Sequence, residues 1–387
     1  MNKFNKLAIL KIIYLKYSLN LCKMKISSAI LSLYFIIILI LFSCLPDQRD
    51  QGTIRLPVDT IGFAQYGWQM DSIMARIERL YLFEEYHPCE DRSDDPAKLV
   101  ISPHDDYTYV GPLYPAVIRQ IESPVVIMFG VAHKASQYGL EDRIIFDSYN
   151  YWKGPYQNTR VSEIREEIIA SLDDSMLVIH DSIHSSEHSL EALLPFLQYF
   201  NKKVEIIPIL VPYMSFDRID IISRSLADAI SKVAVKHRLE WGKDFAMIIS
   251  NDAVHYGDED WGGKNYAPFG ADSAGYSQAI NHEMKIISST LCGPLNPDSI
   301  RKFCEFTIQS DNYKEYKWTW CGRYSVPLGL LTGYYLEESG DRPICGTSSG
   351  YMTSIDHPSV PVDDLGMGFT APANIHHWVG YVGIVYK

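Results

Sequence analysis

Apolar runs of strand length alternate with amphipathic stretches of helix length along most of this 387-residue chain. Four runs rich in β-branched and other apolar residues predict buried strands: "KLVISPH", "SPVVIMFGVAH", "KVEIIPILVPY" and "DFAMIISNDAVHYG". Helical spacing of apolar residues is found in "DSIMARIERLYLF", "YPAVIRQI", "VSEIREEIIASL", "SLEALLPFLQYF" and "RIDIISRSLADAISKVAVKH". This alternation predicts an α/β fold with a mainly parallel, mixed sheet that helices cover on both faces.

Two local features refine this prediction. Pro195 lies within the helical pattern of "SLEALLPFLQYF", where a proline is expected to end or kink the helix. The closing segment "WVGYVGIVYK" alternates enough to predict a late strand, antiparallel to its neighbours. Because composition does not change between residues 60 and 387, we predict one domain over residues 59–387.

The amino terminus differs in kind from the rest of the chain. Lys25 and the apolar run that follows form a secretory signal, and "LFSC" matches a bacterial lipobox in which Cys44 is lipidated. We therefore predict a signal peptide over 24–43, a polar tether over 44–58, and an exported lipoprotein, anchored in a membrane, periplasmic or at the cell surface. Residues 1–23 precede this complete signal and are interpreted as the product of a start codon placed too early. The alternative is a single uncleaved membrane helix.

Charge and cysteine content narrow the class of protein. The net charge of −12 and the absence of a basic stripe argue against a nucleic-acid partner. Five cysteines follow Cys44, and an exported protein can form disulfides, so at least one thiol stays unpaired. A pairing of Cys89, Cys292, Cys304 and Cys345 into two disulfides would leave Cys321 free.

Histidines follow three of the predicted strands at the point where each strand ends. They are His104 in "ISPHDDY", His133 in "FGVAHK" and His255 in "IISNDAVHYG". Because the carboxyl ends of parallel strands share one rim of a sheet, we expect these side chains to meet. A fourth polar turn, "HSSEHSLE", adds Glu187 and His188. Neutral imidazoles together with a thiolate or carboxylate suit a transition metal.

Each of these residues also has a purely structural interpretation. Asp105 and Asp106 could be solvated turn residues, and Asp252 and His255 could cap the start of a helix. His188 and Glu191 are three positions apart and could form a buried hydrogen-bonded pair. Cys321 in "WTWCGRYSVPLG" is either a buried thiol or half of a disulfide, or else a soft metal ligand or a nucleophile.

Seven segments, taken in order, resemble the Memo-like family, also called AmmeMemoRadiSam system protein B. They are "ISPHDDYTYVGP", "FGVAHK", "EHSLEALLPFL", "IIPILVPY", "IISNDAVHYG", "WCGRYSVPLGLL" and "VGYVGIVY", and the resemblance covers roughly residues 55–387. It implies a three-layer α/β/α fold akin to class III extradiol dioxygenases and a mononuclear metal site of two histidines and a cysteine. Matched by motif, the ligands are His104, His133 and Cys321, with His255 nearby and His188 facing the same pocket.

The chain departs from the family pattern at three points. Asp105 and Asp106 follow the first histidine, where the family usually has Ala-Gly, and "GVAH" stands where the family has Gly-Pro-Ser-His. The two carboxylates could alter the choice of metal, supply a base or block the pocket. Export is the third departure, because family members often accompany a radical-SAM protein in the cytoplasm.

These observations lead to a prediction of a metal-dependent redox enzyme that uses iron(II) or copper, with zinc as a further option. His255 would act as general acid or base, Asp252 or Glu187 would orient the ligands, and His188 belongs to the same polar group. The expected ligand is a small molecule or a peptide. A metal- or peptide-binding lipoprotein without turnover is one alternative, and a hydrolase that uses Cys321 or zinc is another. The sequence predicts neither the substrate nor the oligomeric state.

Overall fold

The structure, a computed structural model, describes residues 52–80, 95–337 and 343–387. The strands in these ranges are β1 (Ile54–Arg55), β2 (Leu99–Ser102), β3 (Val125–Val131), β4 (Ile144–Phe146), β5 (Tyr151–Lys153), β6 (Asn158–Val161), β7 (Leu177–Ile179), β8 (Glu205–Val211), β9 (Phe245–Ser250), β10 (His255–Gly257), β11 (Gly293–Pro294), β12 (Cys345–Thr353) and β13 (His377–Tyr386). The helices are α1 (Gly67–Leu80), α2 (Tyr107–Val110), α3 (Leu113–Ile118), α4 (Ile164–Ala170), α5 (Asp181–His184), α6 (Leu194–Phe200), α7 (Phe216–His237), α8 (Ser273–Ile286), α9 (Pro297–Thr307) and α10 (Ser325–Glu337).

The strands form a mixed sheet whose centre is parallel. Across the described residues its order is β1-β5-β6-β8-β3-β9-β2-β13-β12-β11, with β10 on β13 and β4 joined to β7 and β8. Neighbours from β6 to β2 run parallel, whereas β13 is antiparallel to both β2 and β12. The predicted mainly parallel, mixed sheet and its late antiparallel strand are confirmed.

Helices cover both faces of this sheet. Along β9, Met247 and Ile249 join the apolar core on one face, whereas Ala246 and Ile248 join the core on the other. The first core also contains side chains of α7 and α10, and the second contains side chains of α1, α3 and α6. All residues of β9 are buried, which explains why the strand is a continuous apolar run in the sequence. The three-layer α/β/α fold is confirmed.

One helix boundary differs from its prediction. The helix predicted from residue 189 begins at Leu194, and Pro195 lies in its first turn, so this proline neither ends nor kinks the helix. Proline is favoured at that position because the first N–H groups of a helix have no partner within the helix.

Residues before position 59 also belong to the fold. The compact unit begins at Gly52, so residues 52–58 of the predicted tether lie within it. Arg55 of β1 is buried and forms an ion pair with Glu191. The backbone N–H of Val58 donates to the same carboxylate at 2.9 Å. A buried arginine in a polar-looking stretch gives no apolar signal, and this explains the later boundary predicted from the sequence.

The described cysteines do not pair with one another. Cys292, Cys304 and Cys321 are free, whereas Cys345 is disulfide-bonded, so the pattern of two disulfides considered above does not form. The predicted signal over 24–43 lies outside the described residues, as do Cys44 and Cys89. Within the described ranges, no helix combines the length and the apolar character needed to span a bilayer.

Candidate metal centre

Three adjacent parallel strands deliver polar side chains to one rim of the sheet. β3, β9 and β2 are neighbours, and His133, Asp252 and His104 each follow the last residue of their strand by two positions. The ring centroids of His104 and His133 are 5.4 Å apart. The structure therefore brings together side chains that are far apart in sequence.

His104 is buried, and a serine behind the ring fixes its tautomer. Ser250 Oγ lies 2.6 Å from the carbonyl oxygen of Ser189 and 2.7 Å from His104 Nδ1. Because the hydroxyl donates its one hydrogen to the carbonyl, it accepts a hydrogen bond from Nδ1–H. Nε2 is left unprotonated, as a metal ligand requires. Burial, with His133 and His188 nearby, lowers the pKa of His104 well below its ordinary value.

A buried carboxylate holds His133 in the same way. Glu187 Oε1 lies 2.9 Å from His133 Nδ1, and Oε2 accepts the backbone N–H of His133 at 2.8 Å. The backbone N–H groups of His188 and Ser189 donate to Oε1 at 2.9 and 3.1 Å. Burial opposes the charge on Glu187, but His133, His188 and the hydrogen bonds outweigh it and lower the pKa of this carboxyl. The ionised carboxylate accepts Nδ1–H, so Nε2 of His133 is free to bind a metal.

Cys321 approaches the two histidines from the segment before α10. Its Sγ lies 3.5 Å from His104 Nε2 and accepts the backbone N–H of Asp252 at 3.1 Å. The thiol is free and 4% exposed, so the interpretation as half of a disulfide is wrong. Burial, reinforced by the carboxylate of Asp252, raises the pKa of this thiol well above its ordinary value. In the absence of a cation the sulfur is therefore a neutral thiol, which is a poor nucleophile.

The spacing of these donor atoms suits a small transition-metal ion. One ligand atom from each of His104, His133 and Cys321 lies within 4.8 Å of the other two. A tetrahedral ion with nitrogen at about 2.1 Å and sulfur at about 2.3 Å separates those atoms by about 3.6 Å. The distance from His104 Nε2 to Cys321 Sγ is 3.5 Å. Two imidazoles and a thiolate are donors that iron, copper and zinc accept, so the residues fit the implied ion.

Asp252 and His255 complete the group of potential ligands. Asp252 Oδ1 accepts the backbone N–H of His104 at 2.8 Å, and its Oδ2 lies 3.4 Å from His104 Nε2. His255 opens β10, no helix begins at either residue, and the interpretation as helix caps is wrong. Nε2 of His255 is buried and has no hydrogen-bond partner among the described residues. Burial lowers the pKa of His255 to about 3, so the imidazole is neutral at pH 7.

His188 lies on the open side of the site. Its ring stacks on His133 with centroids 5.1 Å apart and planes 6° apart, and its side chain is 42% exposed. Partial burial and the neighbouring His133 lower the pKa of His188 to about 4. Glu191 pairs with Arg55 rather than with His188, so the predicted alternative of a His188–Glu191 pair is wrong.

A cavity of about 540 Å³ adjoins these side chains. Its wall contains His104, Asp105, Asp106, His133, His188, Asp252 and His255. Asp105 accepts the hydroxyl of Tyr381 at 2.7 Å, and Asp106 accepts the hydroxyl of Thr370 at 3.0 Å. Burial, with Asp105 beside it, raises the pKa of Asp106 to about 7. Neither carboxylate is a solvated turn residue, and a sizeable cavity remains beside them.

Glu187 lies behind His133 and outside the cavity wall. It therefore acts by positioning that imidazole rather than by contact with a substrate. Cys321 is likewise not part of the cavity wall, and its Sγ contacts Nε2 of His104. The other predicted site residues border the cavity directly.

Three residues of the site are not identified by the sequence patterns described above. Ser250 is the last residue of its strand, and its position two residues before Asp252 was a usable signal. His377 opens β13, and an antiparallel strand begins at the rim where its parallel neighbours end, so "HHWVGYVG" also contained a signal. Trp261 stacks on His377 with centroids 3.8 Å apart, and no sequence pattern indicates that contact.

Comparison with known proteins gives a consistent family match. A family model described as "Memo-like protein" matches residues 64–356, more than half of the chain. A MEMO1 family protein of Sulfurisphaera tokodaii is 30% identical over 219 residues, which cover 52% of this chain and 70% of that protein. MEMO1 family proteins of Methanothermobacter thermautotrophicus and Saccharolobus solfataricus are 26% and 31% identical over 164 and 163 residues. These matches cover 42% and 40% of this chain, and 56% and 52% of those two proteins.

Proposed function

The chain belongs to the Memo-like family, and from this premise we propose that it is an exported redox enzyme with one iron or copper ion. The observation that carries the proposal is the convergence of His104, His133 and Cys321 beside a cavity of about 540 Å³. Both imidazoles have their Nδ1 atoms bound from behind, by Ser250 and Glu187. Each Nε2 is therefore unprotonated in the metal-free protein and can bind a metal ion directly.

Iron(II) or copper bound by these residues would supply dioxygen chemistry. A thiolate at this site, where extradiol dioxygenases use a carboxylate, changes the redox behaviour, so ring cleavage does not follow from the shared fold. The substrate is a small molecule or a peptide that fits the cavity.

His255 is the residue placed to move a proton. Its imidazole is neutral at pH 7 because burial lowers its pKa to about 3, and its Nε2 has no partner among the described residues. The residue borders the cavity, so we assign it the role of general acid or base toward a hydroxyl or amine of a bound substrate. His188, 42% exposed on the same cavity, is the second imidazole available to a substrate. Asp252 orients this group by accepting the backbone N–H of His104.

The proposed location is a membrane surface outside the cytoplasm, with the chain anchored through a lipidated Cys44. The lipobox "LFSC" supports this proposal, and so does the disulfide at Cys345, because disulfides persist in oxidising compartments. Incorporation of a labelled fatty acid into the protein, and loss of that label in Cys44→Ala, are the expected results. An unaltered protein that carries no fatty acid would contradict the lipid anchor.

A cysteine hydrolase is less well supported. Burial raises the pKa of Cys321 and lowers the pKa of His104, which lies 3.5 Å from the sulfur. These two shifts disfavour the thiolate–imidazolium pair that activates a catalytic cysteine.

Dioxygen uptake after anaerobic loading tests the redox proposal. The full chain, extracted in detergent and stripped of metal, is loaded with iron(II), copper(I) or zinc and then exposed to dioxygen. We expect uptake with iron or copper, and its loss in Cys321→Ser but not in Cys304→Ser, which removes another buried free thiol. Metal binding without uptake would favour a binding protein, and hydrolysis with zinc alone would favour a zinc hydrolase.

A further inference from the structure

A buried carboxylate outside the cavity joins the two segments that hold Cys321 and Asp252. Glu283 in α8 is fully buried. Its Oε1 accepts the indole N–H groups of Trp318 at 2.6 Å and Trp320 at 2.7 Å. Its Oε2 accepts the backbone N–H of Val254 at 3.2 Å and lies 3.3 Å from the hydroxyl of Tyr351.

Such a carboxylate is costly to bury. Within the described ranges, no lysine, arginine or histidine forms an ion pair with Glu283. Burial raises the pKa of Glu283 to about 7, opposed by the hydrogen bonds from Trp320 and Trp318. An apolar side chain would fill this position on the helix with no desolvation cost. What the carboxylate adds is a set of hydrogen bonds to two separate segments.

These two segments are the ones that form the metal site. Trp320 directly precedes Cys321, and Val254 lies between Asp252 and His255. The segments meet through an antiparallel bridge between Val254 and Trp320. The backbone N–H of Cys321 donates to the carbonyl oxygen of Asp252 at 3.3 Å. Glu283 binds both segments and is not part of the cavity wall.

We propose that Glu283 is a positioning residue that fixes Cys321 relative to His104 and Asp252 by clamping these two segments. Metal–sulfur distances tolerate deviations of only about 0.2 Å, so a small displacement of the Trp320–Cys321 segment weakens coordination. Glutamine has the size of glutamate but turns a donor toward either the two indoles or Val254, so one segment loses its acceptor. The effect on metal binding rests on the proposed metal site, whereas the clamping of the two segments can be measured in the metal-free protein.

The first test is a cobalt(II) titration of the metal-free full chain in detergent, with the sulfur-to-cobalt absorption band as the readout. We expect Glu283→Gln to weaken cobalt binding about tenfold and to reduce the band. The matched control is Asp147→Asn, which alters a buried carboxylate that accepts an indole N–H of Trp152 at 2.6 Å and pairs with Arg165, away from both segments. Asp147→Asn is expected to leave cobalt binding unchanged, although we expect thermal unfolding to show a loss of stability in both variants.

The second test needs no metal. In the metal-free protein, the rate at which iodoacetamide alkylates Cys321 is measured by peptide mass spectrometry, with buried Cys304 as the reference in the same sample. We expect Glu283→Gln to raise the ratio of the two rates at least about fivefold, because the Cys321 segment opens, while Asp147→Asn leaves it unchanged. A ratio equal to that of the unaltered protein would overturn the proposal. Failure of the unaltered protein to bind cobalt would overturn the metal site, and the alkylation ratio would still decide the role of Glu283.

Discussion

Replacing Glu187 with glutamine changes the hydrogen bonding of His133 without changing the size of the side chain. The carboxylate accepts four N–H groups: Nδ1–H and the backbone N–H of His133, and the backbone N–H groups of His188 and Ser189. Glutamine has one acceptor oxygen and an amide group that only donates. If the amide group faces Nδ1 of His133, it also opposes the backbone N–H groups of His188 and Ser189, and the imidazole takes its other tautomer with Nε2 protonated. If the amide group faces the backbone N–H of His133, two donors oppose each other.

Either arrangement has a calculable cost. Loss of the carboxylate behind a metal-binding imidazole lowers metal affinity about 10- to 100-fold, which corresponds to about 1.4–2.7 kcal/mol. One buried N–H group left without an acceptor lowers the free energy of unfolding of the metal-free protein by about 1–3 kcal/mol. Glu187 is almost fully buried, so water does not replace the lost acceptor.

Competition with a chromophoric chelator measures the metal affinity, and urea unfolding measures the stability. Glu191→Gln is the matched control, because this carboxylate is equally buried but binds Arg55 and does not contact His133. We expect Glu187→Gln to weaken metal binding and Glu191→Gln to leave it within about twofold of the unaltered protein. Equal metal affinities for Glu187→Gln and the unaltered protein would refute the proposed role of the ionised Glu187 carboxylate in preparing His133 to bind a metal.

Two further predictions concern the free energy of unfolding of arginine variants, and a third concerns how that free energy depends on pH. Arg55→Met leaves Glu191 as a buried charge without its partner, so we expect urea unfolding to show a decrease of about 3–5 kcal/mol in the free energy of unfolding. The control is Arg160→Met, at a half-exposed position, which should change that free energy by less than about 0.5 kcal/mol. Burial lowers the pKa of His184 to about 3, below its value of about 6.5 in an unfolded chain. The unfolded chain therefore binds this proton first, and stability falls as the pH drops from about 6.5 toward 3. His184→Gln should reduce that slope by up to about 1.4 kcal/mol per pH unit, and an unchanged slope would contradict the assignment.

The rim of the sheet could be predicted because each strand contains two signals. An apolar run marks a buried strand, and the polar residue that follows marks its carboxyl end. His104, His133 and Asp252 each lie two positions beyond such a run. Parallel pairing of the strands then brings these positions together. The motif match added Cys321, whose segment lies outside the parallel strands and has no periodic signal.

Individual contacts between distant segments away from this rim could not be predicted from one sequence. Arg55 and Glu191 form a buried ion pair across 136 positions, and each looks like an ordinary surface residue in the sequence. Glu283 occupies one position of an amphipathic helix, and the pattern does not show that two indoles donate to it. Pro195 is ambiguous in sequence, because a proline both ends helices and favours their first turn. For Arg55, Glu191 and Glu283 the missing information is the contact partner, and for Pro195 it is the residue at which the helix begins.

Elemental analysis of the purified protein tests the central claim most directly. The full chain is purified reduced and without oxygen, beside His104→Ala and Cys321→Ala. We predict close to one iron or copper per chain, and its loss in both variants. No transition metal in the unaltered protein, or metal that remains in both variants, would contradict a site built by His104, His133 and Cys321.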